Sequence, residues 1–220
     1  MATILCIETA TTNCSVALSV NGSVIALKED YNNKYSHAER LHLYIEEILL
    51  KNNISKSQLN AIAVSKGPGS YTGLRIGVSA AKGLCFALEI PLISVPTLDS
   101  LALQVKEKEG VIIPMLDARR MEVYSAVYHA ESKSQIRETR AEVLDGHSFS
   151  DYLEKGFVYF IGDGVEKFKT ICTHRNAVFI EGKLPSANDM GLLANEKYKI
   201  SDIEDVAYFE PYYLKDFIAG

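Results

Sequence analysis

The first thirty residues contain three short apolar stretches of the length of β-strands, and the second of them alternates between apolar and polar positions with a period of two. The run ILCIE, residues 4–8, predicts a buried first strand, and CSVALSV, residues 14–20, predicts a second strand with one apolar face. Asn21-Gly22 follows and precedes SVIALKE, and both residues of this pair tolerate the positive φ angles of a tight hairpin. The sequence therefore predicts that the chain begins with a three-stranded antiparallel meander.

Apolar residues spaced three and four positions apart then predict helices. The first helix covers about residues 36–50, and Ser36 with Glu39 matches the capping-box pattern at its start. A second helix covers about residues 72–88, and a third begins at Thr97 and continues to about Lys108. The segments LNAIAVS and PLISV, which lie between these helices, predict two further strands.

After Gly110 the pattern of the first half begins again with apolar strands. VIIPMLD and EVYSAVYH predict two strands around a turn at residues 117–120, and FVYFI and AVFIE predict strands that alternate with short helices. Two halves that each place antiparallel strands before helices indicate an α/β fold of two related domains. We expect a first domain at residues 1–108 and a smaller second domain at residues 109–220. The sequence leaves open whether the C-terminal tail packs back on the first domain.

Composition and charge exclude some classes of protein but do not identify the function. The chain is 47% hydrophobic and 23% charged, which is ordinary for a globular protein, and its net charge is −5. An RNA-binding protein normally carries a basic face, so contact with RNA would require a partner. No apolar run approaches the roughly 20 residues that span a bilayer, and the first ten residues lack the regions of a signal peptide. We therefore expect a cytoplasmic protein without a membrane segment, whose cysteines are buried thiols.

The stretch SKGPGSYTGLRIGVSAAKGL, residues 65–84, is rich in glycine and matches no phosphate-binding loop. A Walker loop needs G-x-x-x-x-G-K-[ST], and no glycine of the stretch begins such a match; the G-x-G-x-x-G pattern fails as well. Gly73, Gly77 and Ala81 instead form one face of small residues along the helix. Because glycine costs about 1 kcal/mol inside a helix, this face indicates a close approach by another segment, either the protein's own sheet or a second chain.

Several motifs together resemble the TsaB family, which is also called YeaZ. They are ILCIETAT, SHAERL, GPGSYTGLRIGVSAAKGL, PLISVPTLDSLA and PMLDARRMEVYSAVY, which span residues 4–128, with looser matches in GDG, LPSA and EPYYLK. The resemblance implies a two-lobed actin-like (ASKHA) α/β fold with a reduced second lobe, and a role in making threonylcarbamoyladenosine in tRNA. It also implies that the chain is a scaffold or activator of the catalytic paralogue TsaD. A TsaE-like ATPase would join them, and tRNA would be contacted only through the complex.

The same resemblance implies that TsaD binds its catalytic metal through the two histidines of an H-x-x-x-H motif. This chain lacks both histidines. The matching positions are Thr97 and Leu101, and a hydroxyl group and an isobutyl group cannot replace two imidazoles. His37 and His42 do not form such a pair, because five helical positions place them about 140° apart. We therefore expect no catalytic residue, no bound metal and no cofactor, and the peptidase (M22-like) labels of this superfamily lose their basis.

The nucleotide site of actin-like proteins is, by the same resemblance, degenerate in this sequence. The first turn contributes Glu8, Thr9 and Thr11, but no glycine that would let the backbone close on a phosphate. The second turn contributes Asp117 and Arg119, and an aspartate at the start of a turn typically bonds its own backbone. A water-mediated ion contact stays open for Glu8. We favour structural roles for both carboxylates and expect negligible ATP hydrolysis by the isolated chain.

The resemblance assigns partner contact to the helices at residues 36–50 and 72–88. These helices would receive the TsaD-like paralogue, or a second copy of the chain in a homodimer when the paralogue is absent. The residues expected to form the surface are Leu41, Tyr44, Ile45, Ile48, Gly73, Leu74, Gly77, Val78 and Ala81. Two other readings of the chain remain, a stand-alone actin-like ATPase or small-molecule kinase and, much less favoured, a metallopeptidase.

Overall fold

The computed structural model of the 220-residue chain describes residues 2–30 and 37–214. The described residues form two compact units, of which the first contains residues 2–30, 37–100 and 185–214 and the second contains residues 101–184. In the described part of the chain, no helix has the length and apolarity needed to cross a bilayer.

A five-stranded sheet forms the centre of the first unit. Its strands are β1 (Thr3–Glu8), β2 (Cys14–Val20), β3 (Ser23–Asp30), β4 (Ala61–Ser65) and β5 (Leu92–Val95). Their order is β3-β2-β1-β4-β5, in which β1 to β3 are antiparallel neighbours and β4 and β5 run parallel to β1. The hairpin between β2 and β3 turns at Asn21 and Gly22, whose φ angles are 51° and 87°. The predicted meander is therefore confirmed.

The helices follow the predicted order with one difference in length. They are α1 (His37–Lys51), α2 (Tyr71–Leu88), α3 (Thr97–Ala102), α4 (Ser150–Leu153), α5 (Val165–Lys169) and α6 (Gly191–Lys199). The capping box predicted at Ser36 lies outside the described residues. α3 ends well before Lys108, because the charged residues that follow Val105 offer no apolar face to bury.

Both faces of the first sheet are covered, which explains why β1 is apolar at successive positions. Leu5 and Ile7 pack in a core cluster with residues of α1 and α2. Ile4 and Cys6 point to the opposite face and pack with residues of α6. One side of α1 and of α2 therefore lies on the sheet, and the other side of each helix carries the exposed residues.

The second unit repeats this sheet topology. Its strands are β6 (Val111–Asp117), β7 (Glu122–His129), β8 (Gln135–Val143), β9 (Val158–Ile161) and β10 (Ala177–Ile180). Their order is β10-β9-β6-β7-β8, so β6 takes the place that β1 has in the first sheet. The prediction of two related α/β halves is confirmed. β8 is not predicted from the sequence, because this edge strand is mostly polar and its outward residues give no apolar pattern.

The chain returns to the first unit after the second sheet is complete. The backbone N–H of Ala187 donates to Ser15 Oγ at 2.8 Å, and residues of α6 are buried in the core of the first unit. The observed division of the chain therefore differs from the predicted one at 1–108 and 109–220, since residues 185–214 pack with the first sheet.

Candidate functional site

The glycine face of α2 receives the turn between β1 and β2. Thr9 Oγ1 donates a hydrogen bond to the Gly73 carbonyl oxygen at 2.8 Å, and the Ser70 N–H donates to the Ala10 carbonyl oxygen at 2.6 Å. A Cβ atom at Gly73 would overlap the Thr9 carbonyl oxygen, and one at Gly77 would overlap Thr9 Oγ1. The small residues of α2 therefore accommodate the first turn of the same chain.

These contacts close the amino-terminal end of α2, a position at which helices commonly bind phosphate. Ser70 Oγ accepts the Gly73 N–H at 3.2 Å, and the Ala10 carbonyl oxygen takes the Ser70 N–H. The Ala10 backbone also lies directly against Gly69, where a Cβ atom would be 2.5 Å from that carbonyl oxygen. The backbone of the turn occupies the space in front of this helix end, so no phosphate can bind there.

Glu8 connects the turn to the sheet and does not face solvent. Its side chain is fully buried, and Oε1 accepts hydrogen bonds from the Ala10 N–H at 2.6 Å and from Ser65 Oγ at 2.7 Å. Oε2 has no hydrogen-bond partner within the described residues. Burial raises the pKa of Glu8 from 4.5 to about 7, although its hydrogen bonds act in the opposite direction. Of the two roles left open for Glu8, this geometry supports the structural one.

The positions that match the TsaD metal pair are both fully buried and do not fit a metal ion. Thr97 begins α3 and donates its backbone N–H to the Gly67 carbonyl oxygen at 3.1 Å, and Leu101 has no polar side-chain group. His37 contacts the Thr11 carbonyl oxygen through Nε2 at 2.7 Å. Burial lowers the pKa of His37 and so favours the neutral ring, although the hydrogen bond to Thr11 acts in the opposite direction. Across the described ranges, no three His, Cys, Asp or Glu side chains are grouped to hold a metal.

The turn between β6 and β7 is braced by side chains of the second unit. Asp117 Oδ1 accepts the backbone N–H of Arg119 at 2.6 Å, and the Asp117 N–H donates to Asp163 Oδ1 at 2.8 Å. Lys167 Nζ lies 3.0 Å from Asp117 Oδ1 and donates to the Arg120 carbonyl oxygen at 2.7 Å. Asp117 therefore shapes its own turn, and its carboxylate pairs with a lysine that sequence analysis does not single out.

The nine residues predicted to contact a partner are buried within the first unit. They are Leu41, Tyr44, Ile45, Ile48, Gly73, Leu74, Gly77, Val78 and Ala81. Tyr44 is 9% exposed, and Leu41 and Ala81 are fully buried in the core cluster beneath the sheet. An apolar stripe on a helix marks the side that packs on the core, so these residues are not the ones that a partner can touch. This burial corrects the choice of residues and leaves the choice of helices as a proposal.

The outer sides of α1 and α2 form an open apolar groove. Its volume is about 560 Å³. The residues that line it are Ala38, His42, Arg75, Ile76, Ser79, Ala80, Gly83 and Leu84. Because half of these residues are small, the groove between the helices has room for the ridge of another helix.

Large apolar side chains on the same two helices are exposed to solvent. Leu43 is 56% exposed, Leu50 is 75% exposed and Phe86 is 82% exposed. A single exposed apolar residue is ordinary, but several of them on the two helices that form an apolar groove are typical of an interaction surface. Sequence analysis missed this surface because its residues mix small, apolar and charged types. The available signal was a second face of small residues on α2, which includes Ser79 and Gly83.

Comparisons with known proteins show which family the chain resembles. The family model of TsaD, tRNA N6-adenosine threonylcarbamoyltransferase, matches residues 32–219. The tRNA threonylcarbamoyladenosine biosynthesis protein TsaB of Escherichia coli is 33% identical, over 98% of this chain and 96% of that protein. The protein of the same name from Haemophilus influenzae is 30% identical, over 97% of this chain and 94% of that protein.

Solved structures share the fold. YeaZ from Pseudomonas aeruginosa has a TM-score of 0.83 at 27% identity, covering 97% of this chain and 100% of that chain. The activator of the 2-hydroxyisocaproyl-CoA dehydratase from Clostridium difficile has a TM-score of 0.50 at 9% identity, covering 91% of this chain and 96% of that chain, and shows likeness of fold alone. The predicted two-lobed actin-like α/β fold is confirmed.

Proposed function

The chain belongs to the TsaB family, and from this membership we propose that it serves tRNA threonylcarbamoyladenosine biosynthesis as the non-catalytic partner of a TsaD-like protein. The family predicted from the sequence motifs is confirmed by relatives that match almost the whole chain. In this role the chain is a scaffold or activator that binds the TsaD-like paralogue. A TsaE-like ATPase joins the pair, and tRNA is contacted through the complex.

The observation that carries this proposal is the apolar groove between α1 and α2. Because the TsaD family model matches residues 32–219 of this chain, a TsaD-like partner is a homologue with counterparts of both helices. Two related chains can place the same surface against each other around an approximate two-fold axis. Two copies of this chain can do the same, which accounts for a homodimer when the paralogue is absent.

The closed turns support the non-catalytic part of the proposal. The turn that contains Thr9 packs on α2, and the turn that begins at Asp117 is held by Lys167. Thr97 and Leu101 stand in place of the two imidazoles that the resemblance gives TsaD. The chemistry of the reaction therefore belongs to the partners, and this chain contributes a surface.

Charge and thiol chemistry fit this role in the cytoplasm. The net charge of −5 gives the chain no general attraction for RNA, so tRNA binding falls to the complex. The four cysteines are free and buried, as expected for a protein of a reducing compartment.

Replacing Ser79 with arginine should prevent binding of the TsaD-like protein while the chain stays folded. Ser79 is exposed and lines the groove, as does Arg75 one helical turn before it. The long arginine side chain would fill space that a partner in the groove needs, and covering it would strip its charge of water, which should lower the affinity about a hundredfold or more. Isothermal titration calorimetry with the purified TsaD-like protein of the same organism measures this change.

Thr173→Arg is the matched control, because it adds the same side chain at an exposed position of the second unit. Thermal melting followed by circular dichroism shows whether both variants are folded. Wild-type affinity in Ser79→Arg would contradict the proposal. ATP turnover of roughly 1 per second by the isolated wild-type chain would favour the ATPase alternative instead.

A further inference from the structure

A C-terminal strap, defined here as residues 205–213, is attached to the side of α2. Lys82 Nζ donates hydrogen bonds to two carbonyl oxygens of the strap, at 3.1 Å and 3.0 Å. The Tyr212 N–H donates to the Lys66 carbonyl oxygen at 2.7 Å, and Phe209 packs against the core cluster beneath the sheet. The strap is therefore a fixed part of the first unit along this helix.

Arg75 is shared by the strap and the groove. Its guanidinium carbon lies 4.2 Å from the ring centroid of Tyr71 and 6.0 Å from that of Tyr213, and the two ring centroids are 5.1 Å apart. Arg75 Nε also donates a hydrogen bond to Tyr213 Oη at 3.2 Å. The same side chain lines the groove. Two aromatic rings and a hydrogen bond thus orient this guanidinium before any partner is bound.

The terminal amino groups of Arg75 are available for a ligand. Nε is bonded to Tyr213, and no side-chain hydrogen bond from Nη1 or Nη2 is found within residues 2–30 and 37–214. The Glu210 carboxylate of the strap attracts Arg75 electrostatically, without a hydrogen bond or ion pair between them in this part of the chain. Arg75 is also exposed. A planar guanidinium with free amino groups is suited to a carboxylate, which it can hold through paired hydrogen bonds. A carboxylate at the rim of an apolar surface is therefore the chemical group that this arrangement fits.

We propose that Arg75 binds an aspartate or glutamate side chain of the TsaD-like partner, and that Tyr213 of the strap positions Arg75 for this contact. The inference rests on the proposed function, since it takes the groove between α1 and α2 as the surface that receives the partner. Oriented arginines often dominate the energy of protein interfaces, because less side-chain freedom is lost when they bind. The C-terminal strap is then a working part of the docking surface.

A double-mutant cycle tests whether Tyr213 acts through Arg75. Arg75→Ala and Tyr213→Ala should each lower the affinity for the TsaD-like protein about tenfold or more in calorimetry. The double variant should bind no more weakly than Arg75→Ala, because Tyr213 has nothing to position once the guanidinium is absent. Arg75→Lys keeps the charge but loses the paired geometry, so it should lose most of the affinity that Arg75→Ala loses.

Tyr213→Phe keeps the ring stack and removes only the hydrogen bond, so it should lose less affinity than Tyr213→Ala. If Tyr213→Ala lowers the melting temperature, Tyr213→Phe replaces it as the test of the contact with Arg75. Additive losses in the double variant would overturn the inference. If Ser79→Arg does not bind, wild-type affinity in both Tyr213 variants would also overturn the inference, and so would wild-type affinity in Arg75→Lys. Either result would leave the proposed function standing. Wild-type affinity in Ser79→Arg contradicts the proposed function itself.

Discussion

Replacing Gly73 with alanine should destabilise the protein by about 3 kcal/mol, whereas the same change at Gly83 should stabilise it by about 1 kcal/mol. At Gly73 the added methyl group would overlap the Thr9 carbonyl oxygen, a backbone atom whose displacement would disturb the whole first turn. At Gly83, on the same helix, a Cβ atom meets nothing within 4 Å. Alanine there only reduces the conformational freedom of the unfolded chain. Urea denaturation followed by circular dichroism gives both free energies of unfolding.

Gly77 provides a control within the same contact. A Cβ atom at Gly77 would overlap Thr9 Oγ1, which is a side-chain atom, so the cost of Gly77→Ala should be reduced in a Thr9→Ala background. The cost of Gly73→Ala should persist in that background, because its neighbour is backbone. Equal stability of Gly73→Ala and Gly83→Ala would show that the turn does not pack on α2 as described.

Between about pH 4.5 and pH 7, the wild-type protein should lose about 3 kcal/mol of stability that a Glu8→Gln variant does not lose. Burial raises the pKa of Glu8 from 4.5 to about 7 in the folded state. The folded protein therefore holds a proton on Glu8 that the unfolded chain releases at lower pH. The stabilising contribution is fully present below pH 4.5 and disappears as the pH rises through 7. Above that pH the folded state must bury an ionised carboxylate.

The difference in unfolding free energy between wild type and Glu8→Gln isolates this one group, because the other titrating groups are common to both proteins. Glutamine retains an oxygen that can accept the hydrogen bonds from Ala10 and Ser65. Urea denaturation at several values between pH 4 and pH 8 measures the difference. A difference that does not vary with pH would contradict the buried position of Glu8.

The sequence was a good guide to the elements that lie between apolar layers. β1 is apolar from Ile4 to Ile7 because both of its faces are covered, and α1 and α2 show clear helical periodicity because one side of each lies on the sheet. The pattern fails where burial is slight. β8 is a polar edge strand, so apolar spacing does not reveal its presence. α3 stops before a charged segment, so apolar spacing does not reveal where it ends.

The candidate site was less predictable, for two physical reasons. The small residues at 73 and 77 indicate a close approach, but the approaching residue, Thr9, lies 64 positions from Gly73, and only the tertiary fold brings them together. Helical apolar stripes also mark the core-facing side, so the same reasoning selects buried residues when an interface is sought. The groove is built from mixed residues such as His42 and Ser79, so no apolar stripe marks it, and the helical spacing of Ser79 and Gly83 is its one periodic feature in the sequence.

The central claim is that this chain activates a TsaD-like enzyme by docking through the groove between α1 and α2. It is tested most directly by measuring threonylcarbamoyladenosine formation on tRNA with the purified TsaD-like and TsaE-like proteins of the same organism, supplied with ATP and an activated threonylcarbamoyl donor. Three parallel reactions contain the wild-type chain, the folded Ser79→Arg variant, or neither. The account predicts product formation with the wild-type chain and little or none in the other two reactions. Equal product formation in all three would contradict it.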